Sequence, residues 1–219
     1  MNGFFEWLKG LYAVGGLEGL PDEDIDYMRE LFGALPRAVE EFYRKAARTD
    51  ALHHGQDQWL LPEHFRKSEW LRGSDCLLLL NENQGVFRAG IQREDLSEDD
   101  PPVYLTEDDK EWKLCADSTT EFLYAMMAYE AVFSYEYSPE DFYWITENEL
   151  AVLEKRLTRL PYEVRGWFGD RILLFSNAAD NMAQVMDCGG GDLQMLLGAA
   201  SEESYLALMD VVEGMGEPI

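Results

Sequence analysis

Apolar positions recur at helical spacing early in the chain and crowd into short runs further on. Phe4, Phe5, Leu8, Leu11 and Tyr12 predict a short amphipathic helix ended by Gly15 and Gly16. Leu20-Pro21-Asp22 opens a second helix, with proline at its start, acids in its first turn and a stripe of Ile25, Met28, Leu31 and Phe32 before Gly33. Leu35-Pro36 opens a third, with Val39, Phe42, Tyr43 and Ala46 facing inward. The period then shortens. Trp59-Leu60-Leu61 predicts a short strand closed by Pro62, and Leu77 to Leu80 a fully buried strand. Asn81 to Gly85 has turn residues, and Val86 to Ile91 continues as the second arm of a hairpin. Pro101-Pro102 before Val103-Tyr104-Leu105 suits an edge strand, and Trp112 to Cys115 alternates as another strand.

Asp117 and Ser118 are candidate N-caps of a helix with Phe122, Leu123, Met126, Met127, Ala131 and Phe133 in its stripe and Glu130 as the exception. Thr146 with Glu149 reads as a capping box that starts a helix through Leu150, Leu153 and Leu157. Trp167 to Asp170 is a turn before a buried strand over 171–175. The runs 183–186 and 195–197 flank Gly189 to Asp192 as a hairpin. Ser201 caps a last helix with Tyr205, Leu208, Met209 and Val212 inside. Tyr135 to Phe142 is the best linker candidate, but its aromatics argue for packing. The expected architecture is α+β, a mainly antiparallel β-sheet with surrounding helices, in one domain over 1–219 with 1–20 as an N-terminal helical extension.

Charge changes the picture. The chain carries 43 Asp and Glu against 18 Lys and Arg, a formal net of −25. Such a field repels phosphate and anionic headgroups, so nucleic acid and membrane surfaces are not expected partners. It serves solubility, or it favours a basic partner. The stretch Glu94 to Glu111 holds nine acids and one basic residue, Lys110, and 172–219 holds no Lys or Arg at all. A run of this kind is a solvated face or a docking surface. Cys76, Cys115 and Cys188 form no C-x-x-C pair, which fits a reducing compartment. Glu6 and Lys9 interrupt the apolar N-terminus, and no apolar run is long enough to span a bilayer, so a soluble, cytoplasmic protein is expected.

Searches for chemistry return little. Asp22, Asp24 and Asp26 begin like a calcium loop, but Tyr27 and Gly33 stand where it needs glycine and glutamate. His53, His54 and His64 match no ligand spacing. There is no G-x-S-x-G, and Gly189 to Gly191 lacks the lysine and hydroxyl of a phosphate loop. The tryptophans at 59, 70, 112, 144 and 167 are not interleaved with basic residues, as a nucleic-acid platform would require. No catalytic residue, cofactor or metal is expected, and binding is favoured by elimination. A cluster of perturbed acids in a deep pocket would point instead to carboxylate catalysis.

One order of motifs is more informative. Leu35-Pro36 opens the helix with Phe42-Tyr43, and Gln58-Trp59-Leu60-Leu61-Pro62-Glu63 follows. The Leu77 to Leu80 run leads into Glu82-Asn83-Gln84-Gly85-Val86 and Gly90-Ile91. Then come Asp99-Asp100-Pro101-Pro102-Val103-Tyr104, Trp112, and the helix from Thr120-Glu121-Phe122-Leu123. Over residues 35–133 this resembles the SUKH superfamily, which includes fungal cell-wall synthesis regulators and bacterial immunity proteins. The resemblance implies a SUKH-like α+β fold without catalysis. For a bacterial member it implies an immunity protein that neutralises a cognate secreted toxin of a polymorphic toxin system, often a basic nuclease. The alternative is an intracellular regulator or scaffold of the fungal type. An acidic inhibitor is steered to a basic toxin and competes for its phosphate-binding surface. The expected partner-binding residues are Glu82, Asp99, Asp100, Asp108 and Asp109.

Overall fold

In a computed structural model, residues 1, 3–139 and 141–219 are described. Glu140, inside the 135–142 linker candidate, and Asn2 lie outside the described residues. The three expected N-terminal helices are α1 (Phe4–Leu11), α2 (Asp22–Phe32) and α3 (Arg37–Lys45). Gly33 ends α2 in the left-handed conformation, at φ 80°, where a side chain is strained.

The first sheet has five strands in sequence order, all paired antiparallel: β1 (Gln58–Trp59), β2 (Cys76–Asn81), β3 (Arg88–Gln92), β4 (Val103–Thr106) and β5 (Lys113–Ala116). Two short helices, α4 (Pro62–Lys67) and α5 (Glu69–Gly73), separate β1 from β2. The sequence shows Pro62 as the end of a strand; it is equally the first residue of a helix, because proline's missing N–H costs nothing there. The expected edge strand β4 lies instead inside the sheet, between β3 and β5. Pro101 and Pro102 stand just before it, so all its ladder donors survive.

Helix α6 (Thr119–Ser134) follows, with Ser118 Oγ accepting from Glu121 N–H at its N-cap. It is apolar nearly all round and is buried nearly all round, as a central helix must be. Glu130, the exception in its stripe, is fully buried.

The second sheet is built from β6 (Tyr143–Ile145), β7 (Thr158–Arg159), β8 (Val164–Arg165), β9 (Arg171–Ser176), β10 (Asn181–Asp187), β11 (Leu193–Ala199) and β12 (Glu217–Pro218). Its order is β12-β6-β11-β10-β9-β7, with β8 also on β9. Alternation sorts its side chains to two faces. Ile172, Leu174, Met182, Met186 and Leu196 join the main core with α6 and the first sheet. Leu173, Phe175, Val185, Met195 and Leu197 form a second cluster under α7 (Glu147–Arg156) and α8 (Glu202–Val212). The fold is α+β, as expected, but with two antiparallel sheets, each folded from its own half of the chain. Of the four α8 residues expected inside, Leu208 and Val212 are buried, whereas Tyr205 and Met209 are only half-buried.

The Thr146 capping box is formed, and Glu149 does more than cap. Its Oε2 accepts from Thr146 N–H at 2.7 Å, and its Oε1 accepts from Gly216 N–H at 2.9 Å, tying β12 to the start of α7. Thr146→Ala is expected to cost about 1 kcal/mol, the usual value of a cap. Glu149→Ala is expected to cost more, because it also frees the C-terminal strand. Urea midpoints with unchanged slope measure both, and equal losses would show that the Gly216 bond adds nothing.

Candidate functional site

A cleft of about 870 Å³ lies between α2, α4 and the chain leading into β1. Arg48, Arg66, His53, His64, Gln56 and Asn83 are among its walls. Arg66 is already held: it pairs with Asp24 at 2.5 Å and stacks over Tyr27. His53 Nε2 meets the Ala47 carbonyl at 2.9 Å, and His64 Nδ1 accepts from Leu61 N–H at 2.9 Å, so both rings support local backbone. Among the described residues no group of three His, Cys, Asp or Glu stands close enough to hold a metal ion.

Behind this cleft sits a node of buried acids that no sequence motif marked. Asp57, just before β1, is 6% exposed. Its Oδ2 accepts from Trp167 Nε1–H at 2.9 Å and its Oδ1 from Asn83 N–H at 3.1 Å. Its own N–H donates to Glu130 Oε2 at 3.0 Å. Four distant parts of the chain thereby meet: the approach to β1, the β2–β3 turn, the middle of α6 and the turn before β9. Glu130 Oε1 has no hydrogen-bond partner among the described residues. Burial, reinforced by the charge of Asp57, pushes the Glu130 carboxyl well above the usual carboxylate range. Burial also raises Asp57, against the lowering effect of its donors. Burial and mutual repulsion thus both disfavour ionising the two carboxyls together. Tyr129, also raised by burial, stays neutral beside them.

Access decides what this node can do. Gly55 covers Glu130: a Cβ there would lie 2.2 Å from Oε2 and 2.9 Å from the Glu130 Cβ. Asp57 reaches the cleft wall, but each of its oxygens already accepts a hydrogen bond. The geometry is that of a strut between elements.

The five expected partner-binding acids are not one patch. Glu82 is 1% exposed, and its Oε2 accepts from Gln84 N–H at 3.0 Å and Val86 N–H at 2.9 Å. It shapes the β2–β3 turn and presents nothing to a partner, which corrects the expectation. Asp100 Oδ1 accepts from Thr120 N–H in the first turn of α6. Asp108 Oδ1 accepts from the amides of Glu111 and Lys110, and these hold its carboxyl below the usual range. Asp109, at φ 61°, pairs with Arg88, which lies over Trp70. Asp99 is exposed, and its carbonyl accepts from Ala38 N–H at the start of α3. Asp99 and Asp100 precede β4 and Asp108 and Asp109 follow it, so a strand of about 10 Å separates the pairs. The exposed acids Glu94 and Glu98, with Asp95, lie near the half-exposed Tyr104, whose hydroxyl is raised by burial and by the charges of Asp95, Glu94 and Glu98.

No family model, curated protein or solved structure matches the chain. No helix among the described residues is long and apolar enough to cross a membrane.

Two variants test the node. Asp57→Ala removes the acceptor of the buried Trp167 indole N–H and of the Asn83 N–H and is expected to cost about 2 kcal/mol, read as a lower urea midpoint. Glu130→Gln mimics the protonated acid. A carboxyl raised on folding gives stability that is complete below the ordinary glutamate range and is lost as pH rises toward its folded value. The Gln variant should therefore gain on wild type as pH rises above about 4.5. A stability difference that does not change with pH would show that Glu130 ionises normally.

Proposed function

We propose that the chain is an immunity-type binding protein that neutralises a basic toxin partner. The observation that carries this reading is how the charges are spent. Basic side chains are largely engaged within the fold: Arg29 and Arg44 with Glu40, Arg88 with Asp109, Arg165 with Asp117 and Arg171 with Asp187. Many acids, by contrast, stay exposed, and with a formal net of −25 the molecule presents an almost unopposed negative field. Exposed ion pairs of this kind add little stability, so the excess of acid is not explained by folding. A field of one sign raises the encounter rate with a partner of the other.

The order of motifs over 35–133 that resembles SUKH proteins supports the same reading. The partner face on this reading is the group Glu94, Glu98 and Asp95 around Tyr104. A toxin nuclease fits it, because an enzyme that holds phosphates must be basic there.

Co-expression with the toxin-like gene nearest the chain's own gene tests the proposal. Rescue of growth is expected, together with a 1:1 complex that weakens steeply with salt. Glu94→Lys combined with Glu98→Lys should weaken the complex by about tenfold or more. Full killing with no complex would remove that partner and the immunity reading with it.

A further inference from the structure

Helix α8 is packed on less of its surface than its sequence invites. Its residues run Glu-Glu-Ser-Tyr-Leu-Ala-Leu-Met-Asp-Val-Val, yet only Leu208 and Val212 are buried. Leu206 is 56% exposed, and Tyr205, Met209 and Val211 are half-buried. Beside the helix lies a groove of about 340 Å³. Met195 and Leu197 of β11 floor it, Tyr143 of β6 closes one side, and Met209, Val212 and Met215 form the other. Leu206 stands one turn before Met209, so the exposed leucine extends the same apolar strip. Tyr205, whose ring lies 6.4 Å from that of Tyr137, continues it toward the N-terminus of α8.

We infer that this groove docks a basic amphipathic helix of a protein partner. Its three methionines are unbranched and polarisable, and adapt to whatever apolar side chains enter. A groove of this form takes a row of anchors at i, i+3, i+4 and i+7. Charge selects the occupant. The exposed acids Asp210 and Glu213 line the groove, and Glu202 and Glu203 begin the same helix. Residues 172–219 carry eight acids and no Lys or Arg. Arg156 of α7 is the basic side chain that touches α8, and its guanidinium donates to the Val211 carbonyl. A second copy of the chain would bring acids against acids, and an anionic membrane would meet the same repulsion. A helix with Lys or Arg flanking its apolar stripe meets both the floor and the rim. This rests on the proposed function only in taking the partner to be a basic protein; the groove is distinct from the face around Tyr104.

A fluorescein-labelled Leu/Lys peptide of about 18 residues, long enough to form a helix, is the probe. Its leucines follow the i, i+3, i+4, i+7 spacing. Methyl spectra of the full chain with labelled methionines report where it sits. Shifts at Met195, Met209 and Met215, together with about a tenfold weakening by Leu206→Lys, are expected. Leu206 is exposed, so that variant should keep its thermal midpoint, and Asp210→Lys with Glu213→Lys repeats the test from the rim. Four results would overturn the inference: no binding, shifts confined to Met126 and Met182, equal binding of a scrambled peptide of the same charge, or self-association of the chain that Leu206→Lys abolishes. The two proposals separate in the toxin rescue experiment. Rescue that survives Leu206→Lys removes the groove from toxin binding and leaves the immunity reading standing. Absence of rescue by the wild type removes that reading, and the peptide alone then decides the groove.

Discussion

The hydrogen bonds around Asp57 are the constraint on which the arrangement of the two sheets depends. A charge buried in an apolar interior costs several kcal/mol unless it is paired or hydrogen-bonded. Here the cost is met by geometry: an indole N–H from the second sheet's approach and an amide from the first sheet's hairpin donate to the carboxylate, while the Asp57 N–H donates to Glu130 on α6. Each donor belongs to a different segment, so the carboxylate is satisfied only when all of them are in place. An apolar core accepts many near-equivalent packings, whereas this node accepts one. Gly55 follows from it, because the chain must pass over Glu130 with no room for a Cβ.

The acids divide into those that build the fold and those that face outward. Glu82, Asp100, Asp108 and Glu149 each bind backbone amides that would otherwise lack partners, and so they fix turns and helix starts. Glu94, Glu98 and Asp99 are exposed and contribute a field instead. Net charge alone does not distinguish these jobs, which is why a cluster in the sequence dissolved into separate turns in the structure. The second half of the molecule adds an apolar counterpart: α8 covers one face of the second sheet incompletely, and the gap is rimmed by acid. Field and groove are the two features on which the proposed basic partner rests.

Much of the fold was legible from local signals. Helices α1, α2, α3, α6, α7 and α8, the β2–β3 hairpin and the β10–β11 hairpin follow from period, caps and turn residues. Helices α4 and α5 were not legible, since they are too short to show a period and Pro62 reads equally as an end or a beginning. The interior place of β4 was hidden because strand order is a matter of pairing, and pairing is not local.

The sequence by itself determined the α+β class, most element boundaries, the acidity and its concentration in particular stretches. These depend on neighbours within a turn or a strand, and side-chain period and capping chemistry encode them directly. Only the tertiary structure decided that Glu82 is buried, that Asp57, Glu130 and Trp167 meet, and that Met209 and Val212 of α8 border an open groove. Asp57 and Trp167 are 110 positions apart. Nothing in the spacing of single residues along a chain records which carboxylate will be closed off from water, because burial is set by the packing of elements from its whole length.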